Sequence, residues 1–255
     1  GTTGVLVGLD ADHDAIERAQ KKLEGTGPAV HLRLSNFRKL AGVLDELGIA
    51  SIDKALFDLG WSSFQLTAGR GFSFLNDEPL SMTYAKTEGD APPQVWQLTA
   101  REIVNEWQEE SIADVIFGWG EERYARRIAK AIVARRATRP IEMSRDLAEI
   151  VSDAIPHKGK GKIHPATKTF QALRIAVNDE FGALTEGLTA AYMRVRPQGR
   201  IAVISFHSAE DRIVKRLMKS WTGSQLTKKP IVPSDQEIAK NPRSRSAKLR
   251  IFIKS

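Results

Sequence analysis

The chain has 255 residues, is 42% hydrophobic and 27% charged, and carries a formal net charge of +7 with no cysteine. That composition permits one large domain or a core with an insertion, and it excludes disulfides and thiolate metal sites. No apolar run approaches the ~20 residues of a membrane span and no signal peptide is visible. A cytoplasmic location without a membrane partner is therefore expected. An isoelectric point near 9.6 favours a polyanionic partner.

Val5-Leu-Val-Gly-Leu9 reads as a short strand ending at Asp10, and Asp12 reads as the cap of a helix that stops at Gly25. Ala29 to Leu34 is a second strand, followed by a helix from about Lys39 to Leu47 and a third strand from Ile52 to Asp58. Strands alternating with helices predict a mainly parallel sheet covered on both faces. From Leu98 to Ile155 the pattern is helical, punctuated by Pro140 and Pro156. A long helix from about Thr169 to Arg194, a strand from Gly199 to Ser205, a helix from Ala209 to Lys219 and a last strand from Leu249 to Ile253 complete it.

The opening Gly1-Thr-Thr-Gly4 looks like the start of a glycine-rich turn, yet Val5 begins a strand at once. A right-handed crossover between parallel strands needs at least ~10 residues. The expectation is therefore a loop and a helix between Gly4 and Val5, with a first strand ahead of Gly1.

Each of the first three strands ends near a residue suited to a nucleotide. Asp10 can accept hydrogen bonds from ribose hydroxyls, or merely cap a helix. Phe37 can stack on an adenine, or sit in the core. Asp58 ends the third strand. The three are expected on one edge, where open α/β sheets bind ligands. No G-x-G-x-x-G is present, which argues against a dinucleotide. S-adenosylmethionine has no phosphate and fits an acid after each of two strands.

Ile204 to Arg216 is a strand-to-helix junction. In it His207 is a candidate base, or else Ser208 caps the helix with Asp211 as its capping-box partner. In His164 to Arg174, Lys168 and Arg174 can reach phosphates and Gln171 a base edge, while a helix start with a basic face is the plainer reading. On Glu121 to Arg136 the apolar Tyr124, Ile128, Ala131 and Ile132 share one helical face, and Arg123, Arg126, Arg127 and Lys130 fall on the opposite arc. Lys158, Lys160, Lys162, Arg243, Arg245, Lys248 and Arg250 extend the basic pattern.

Longer motifs carry a resemblance. Asp58-Leu-Gly-Trp-Ser-Ser-Phe-Gln65 and Arg70-Gly-Phe-Ser-Phe74 resemble the MraW (RsmH) family of 16S ribosomal RNA cytosine-N4 methyltransferases. So do Trp119 to Arg123, His164 to Asn178, Ile204 to Arg216 and Asn241 to Arg250, in order along nearly the whole chain. The resemblance implies a Rossmann-like class I S-adenosylmethionine-dependent methyltransferase core at residues 1–67 and 176–255, with an inserted all-helical RNA-substrate domain at 68–175. It implies cofactor contacts at Gly4, Asp10, Phe37, Asp58 and Gln65. RNA contacts are expected at Arg123, Arg126, Arg127, Lys130, Lys168 and Arg174. The expected partner is small-subunit ribosomal RNA or the 30S particle, with a homodimer left open.

The implied reaction is methylation of a cytidine N4 in the decoding region of that RNA. Acceptors on the N4 hydrogens would help rehybridise a weakly nucleophilic amine. Asp58 is the first candidate for that catalytic role, and backbone carbonyls beside it are the alternative. Two departures stand out. Pro79-Leu-Ser-Met-Thr83 has serine and threonine where the family reads an acid and an arginine, and the remaining glycines and the histidine of the family's glycine-rich loop have no counterpart. The competing readings are a non-catalytic RNA-binding ribosome-assembly factor with a vestigial cofactor site, and a methyltransferase acting on protein or a metabolite.

Overall fold

A computed structural model describes residues 4–60, 69–84, 98–156 and 164–255. The chain divides into two compact units, one formed by Gly1–Gly60 with Phe181–Ser255 and the other by Trp61–Glu180. The fold is mixed α/β, with every described strand in the first unit.

In that unit β1 (Val5–Asp10) pairs in parallel with β2 (Ala29–Leu34), in register from Val5 with Ala29 to Asp10 with Leu34. Helix α1 (His13–Leu23) connects them, and Asp12 caps it by accepting from the Asp14 N–H. A 3-10 turn at Phe37–Lys39 leads into α2 (Leu40–Glu46) and then β3 (Ile52–Asp58). After the second unit the chain returns through α8 (Glu180–Arg194) to β4 (Val195–Ser205), α9 (Ser208–Ser220), β5 (Gly223–Gln225), α10 (Asp235–Lys240) and β6 (Lys248–Lys254). The sheet order is β3-β4-β6-β5, with β3 and β4 parallel and β6 antiparallel to both of its neighbours.

The expectation of one mainly parallel sheet is corrected in two respects. Among the described residues the strands form a two-stranded and a four-stranded sheet, and half of their four pairings are antiparallel. Among the described residues β1 pairs only with β2 and β3 only with β4. The side chains of Val5, Leu6 and Leu56 on these two strands are exposed. Both sheets share one core, in which Leu44, Leu188, Ile201, Val203, Val214 and Phe252 are buried and Val7 and Leu9 pack against them. Each such side chain contributes about 1.5–3 kcal/mol of hydrophobic stabilisation.

The second unit is helical: α3 (Ala100–Glu106), α4 (Glu109–Gly120), α5 (Ala125–Arg136), α6 (Ser144–Ala154) and α7 (Thr167–Asn178). Thr99 and Glu102 form a reciprocal capping box at the start of α3. Ile103, Ile112, Ile116, Ile128, Ile132 and Leu147 are fully buried in its core. The single helix expected from Thr169 to Arg194 is two, α7 and α8, because Asp179 turns left-handed at φ 44°. Asp tolerates that conformation better than most residues.

Candidate functional site

Parallel pairing puts Asp10 and the end of β2 at one edge of their sheet, and likewise Asp58 and the end of β4, since Asp58 is in register with Ile204. Besides the shared core, an aromatic contact relates the two sheets. Phe37, three residues beyond β2, meets Phe57 of β3 edge to face, with centroids 5.6 Å apart and planes at 81°. Asn36 sets this turn by accepting from the Arg38 N–H at 3.0 Å. On the other side the Phe37 ring lies against Gly187 of α8, where a Cβ would come within 2.6 Å of the ring. Phe37 is thereby half-buried, its edges held by Phe57 and Gly187. Asp10 and Asp58 thus end β1 and β3, Phe37 stands just beyond the end of β2, and the Phe37–Phe57 contact ties the second strand end to the third.

The backbone beyond Asp58 is held by the turn that follows β4. The Leu59 N–H donates to the Ile204 carbonyl at 2.9 Å. Gly60 has φ 94°, and a Cβ there would lie 3.1 Å from the Phe206 ring. Only glycine adopts that backbone so close to an aromatic without strain. The buried Glu210 carboxylate accepts from the Phe206 N–H at 2.8 Å and the His207 N–H at 3.2 Å, and His207 Nδ1 accepts from the Glu210 N–H at 3.3 Å. This corrects the expected cap: His207, not Ser208, caps α9, and its capping-box partner is Glu210, not Asp211. Asp211 is engaged elsewhere, by the Arg250 guanidinium through two bonds of 2.7 and 3.0 Å. Burial alone would raise the Asp211 pKa, but Arg250, with Lys248 and Lys215, holds it below the usual carboxylate value.

The two site acids behave oppositely to Asp211. Asp10 keeps an accessible side, yet loss of hydration raises its pKa and the charge of Asp12 adds to the rise; the Asp12 and Ala11 N–H groups and Arg18 oppose it. Desolvation raises the Asp58 pKa as well, and no cation among the described residues offsets it. A carboxylate that holds its proton more tightly is a better acceptor for a proton lost by a substrate.

Two expected cofactor contacts are not brought to this edge. Gly4 sits at the opposite, amino-terminal end of β1, about 20 Å from Asp10 at the rise of a strand, where its carbonyl accepts from the Ala29 N–H at 3.0 Å. Its carbonyl extends the β1–β2 ladder by one residue. Gln65 lies outside the described residues, as do Trp61 to Phe64 and Lys158, Lys160 and Lys162.

The expected RNA contacts separate into two groups. Arg123, Arg126, Arg127 and Lys130 are exposed along α5 and its approach, opposite the buried Ile128 and Ile132, and none has an ion-pair partner among the described residues. Arg174 is different: its side chain is 7% exposed and grips Glu180 through bonds of 2.7 and 2.9 Å, and Glu180 also accepts from the Tyr84 hydroxyl. It is a structural cation, not a phosphate contact. Lys168 donates to the Glu121 carbonyl at 2.9 Å, capping the end of α4, and Gln171 donates to the Trp119 carbonyl. The motif from His164 to Asn178 therefore ties helices together. Arg135 and Arg139 are likewise spent on Asp146, and Arg136 on the Val104 carbonyl.

Sequence reasoning missed the groups that build the loop around Arg70. Glu78 is buried, with its carboxylate accepting from the Gly71 N–H and the Asn76 side chain. Gly71 passes so close to Pro79 that a Cβ would meet its carbonyl at 2.4 Å. Asn178 holds the far end of the loop by accepting from the Tyr84 N–H and donating to the Met82 carbonyl. Where the resemblance expects an acid and an arginine, the Ser81 and Thr83 hydroxyls hydrogen-bond to each other at 2.9 Å. Gly187, Phe206 and Glu210 were also missed; of these, only Glu210 carried a signal, as an acid three residues after His207.

Sequences of known proteins match this chain along nearly its whole length. A protein called ribosomal RNA small subunit methyltransferase H from Deinococcus deserti is 49% identical over 247 residues, covering 96% of this chain and 78% of that protein. Its namesake from Symbiobacterium thermophilum is 45% identical over 272 residues, covering 98% and 83%. A third, from Sulfurihydrogenibium, is 45% identical over 251 residues, covering 96% and 83%. The model of the MraW methylase family matches residues 1–255, with the carboxyl-edge acids and the loop built on Glu78 both inside the matched span. With its relatives at this level of identity, the chain belongs to the MraW methylase family.

Proposed function

We propose that this protein transfers a methyl group from S-adenosylmethionine to the N4 amine of a cytidine in the decoding region of small-subunit ribosomal RNA. In this reading the first unit is a Rossmann-like methyltransferase core and the helical unit contributes to RNA binding. The observation that supports the proposal is that Asp10 and Asp58 end β1 and β3, with Phe37 just beyond β2 in contact with Phe57 of β3.

The residues fit such a cofactor. An accessible, partly desolvated acid at the end of β1 can accept from ribose hydroxyls. A half-buried phenylalanine one strand away can lie against an adenine. The cofactor when bound supplies an electrophilic methyl carbon on a sulfonium, which leaves as a neutral thioether. Asp58 accepts a hydrogen bond from one N4 hydrogen, which draws the nitrogen lone pair out of the ring and toward the methyl carbon. The Asp58 carboxylate would stabilise positive charge on the amine nitrogen and take its proton. Phe206 against Gly60 and the Glu210 clamp keep the backbone after Asp58 in place, so positioning is prepaid.

Incubation with label in the transferable methyl group and small-subunit RNA tests the reading. Label in the RNA supports it. Cofactor binding without transfer would replace it with the non-catalytic assembly factor, and label in protein or metabolite with the third reading.

A further inference from the structure

The four-stranded sheet ends in a basic surface that the site above does not use. Strand β6 is antiparallel to β4 with Lys248 in register with Ser205, so the residues just ahead of β6 emerge at the same edge as Asp58. Those residues, Pro242–Ser246, form a 3-10 turn pinned by Ser244. Ser244 is 7% exposed, with its hydroxyl donating to the Asn241 carbonyl at 2.8 Å and its N–H to the same carbonyl at 3.0 Å. Burying the central residue leaves Arg243 and Arg245 in solvent on either side, and neither has a carboxylate or hydrogen-bond partner among the described residues. The next two cations along the chain, Lys248 and Arg250, are both drawn to Asp211.

A second segment comes to the same place. The Ile231 and Leu249 backbones exchange two hydrogen bonds of 2.9 Å, which lays residues 227–231 alongside the start of β6. Lys228 and Lys229 are exposed there, next to the exposed apolar side chains of Ile231 and Val232. Between Leu226 and Ala247 the only acids are Asp235 and Glu237, and both stand in the first turn of α10, where a helix terminus favours them. Five cations against two acids, at the edge that carries the proposed catalytic acid, exceed what a solvated face requires.

We infer that the surface formed by Lys228, Lys229, Arg243 and Arg245, with the exposed Ile231 and Val232 following the lysines, is a second RNA-holding site on the first unit, gripping phosphates of the strand that delivers its base to Asp58. The inference rests on the proposed RNA substrate, and it makes the first unit more than a cofactor carrier. Arginine held clear of any acid donates in a fork to phosphate oxygens, and the apolar pair offers a flat surface to sugars or bases.

The test is Arg243→Gln with Arg245→Gln, measured against a small-subunit ribosomal RNA transcript at several salt concentrations, with cofactor binding followed by calorimetry and folding by thermal melts. Each phosphate contact to a single strand adds about 0.7 to the log–log salt slope. Loss of two should lower the slope by about 1.4 and weaken binding about tenfold at 0.15 M salt, with cofactor affinity unchanged. Lys21→Gln with Lys22→Gln removes the same charge from the end of α1, at the opposite edge, and should leave the slope near wild type. Arg243→Lys with Arg245→Lys should recover much of the slope. A wild-type slope in the Gln pair, or equal losses from both sites, would overturn the inference while leaving the methyltransferase reading standing. Failure of the unaltered protein to bind or methylate RNA would instead remove that reading.

Discussion

Phe37 and Phe57 lie edge to face with ring centroids 5.6 Å apart, and this contact links the end of β2 to the end of β3 although the two strands belong to different sheets. Gly187 makes room for it. Alanine at 187 would place a Cβ 2.6 Å from the Phe37 ring and 3.0 Å from its backbone oxygen. Gly187→Ala should improve the helix by about 1 kcal/mol, but overpacking should cost about 1–3 kcal/mol and swing the ring away from its place. The expected outcome is weaker cofactor binding by calorimetry. Adding Phe37→Leu should recover stability but not affinity. Unchanged affinity in Gly187→Ala would show that the ring does not contact the cofactor.

Asp10 should dominate the ribose contact. Asp10→Ala is expected to weaken S-adenosylmethionine binding by about 1.5–3 kcal/mol, the range for hydrogen bonds to a charged group. Calorimetry on the folded variant decides the matter, and wild-type affinity would remove Asp10 from the site.

Asp58 should leave its mark on two pH profiles. Its pKa is raised by desolvation above 3.8, so the native state binds the proton more tightly than the unfolded chain does. Stability contributed by this group therefore falls as pH rises from the ordinary carboxylate value through the raised one, and the penalty is fully present at neutral pH. Asp58→Asn should melt at a higher temperature than wild type near pH 7, with the difference vanishing at low pH, and it should lose methyl transfer. In the wild type, the acid limb of kcat/KM should lie above the ordinary carboxylate value. An Asn variant that still turns over would hand the acceptor role to the neighbouring carbonyls.

Arginines in the helical unit should divide by their partners. Arg174→Met leaves Glu180 half of a buried pair, and such breaks cost about 3–5 kcal/mol; the melting temperature should drop while the RNA salt slope of the folded fraction stays unchanged. Arg123, Arg126 and Arg127 changed together to Gln should do the reverse, lowering the slope by about 2 with little effect on stability. A normal slope in that triple variant would make the exposed arc a solvated helix face.

The contrast between Arg174 and Arg126 also shows what could be read from the chain. Both are cations on helices, and the sequence pattern grouped them. The separation depends on Glu180, which follows the left-handed turn at Asp179 and so comes back against α7. Local pattern located β1, β2 and β3 as apolar runs with a clear stop and α1 from its Asp12 cap and the stop at Gly25, and it placed Asp10, Phe37 and Asp58 at or just beyond the strand ends. The split into two sheets and the antiparallel course of β6 depend on long-range pairing, which a strand's own residues do not encode. The cap of α9 was misread by one residue for a related reason: Asp211 is claimed by Arg250 from β6, which leaves Glu210 to close the capping box. Gly4 was misplaced because a glycine beside a threonine pair reads as a turn whether or not a strand absorbs it. Gly187 gave no signal at all, since only the approach of Phe37 from another element explains it.

The central claim is that the strand ends carrying Asp10, Phe37 and Asp58 form one site that methylates a cytidine amine in small-subunit RNA. The most direct test is to react the protein with S-adenosylmethionine and 30S particles lacking the modification, digest the RNA to nucleosides and identify the methylated species by mass spectrometry. N4-methylcytidine, absent when Asp58→Asn replaces the wild type, is the predicted result. Methyl groups on another base or on ribose, or none in the RNA while the cofactor still binds, would contradict the account.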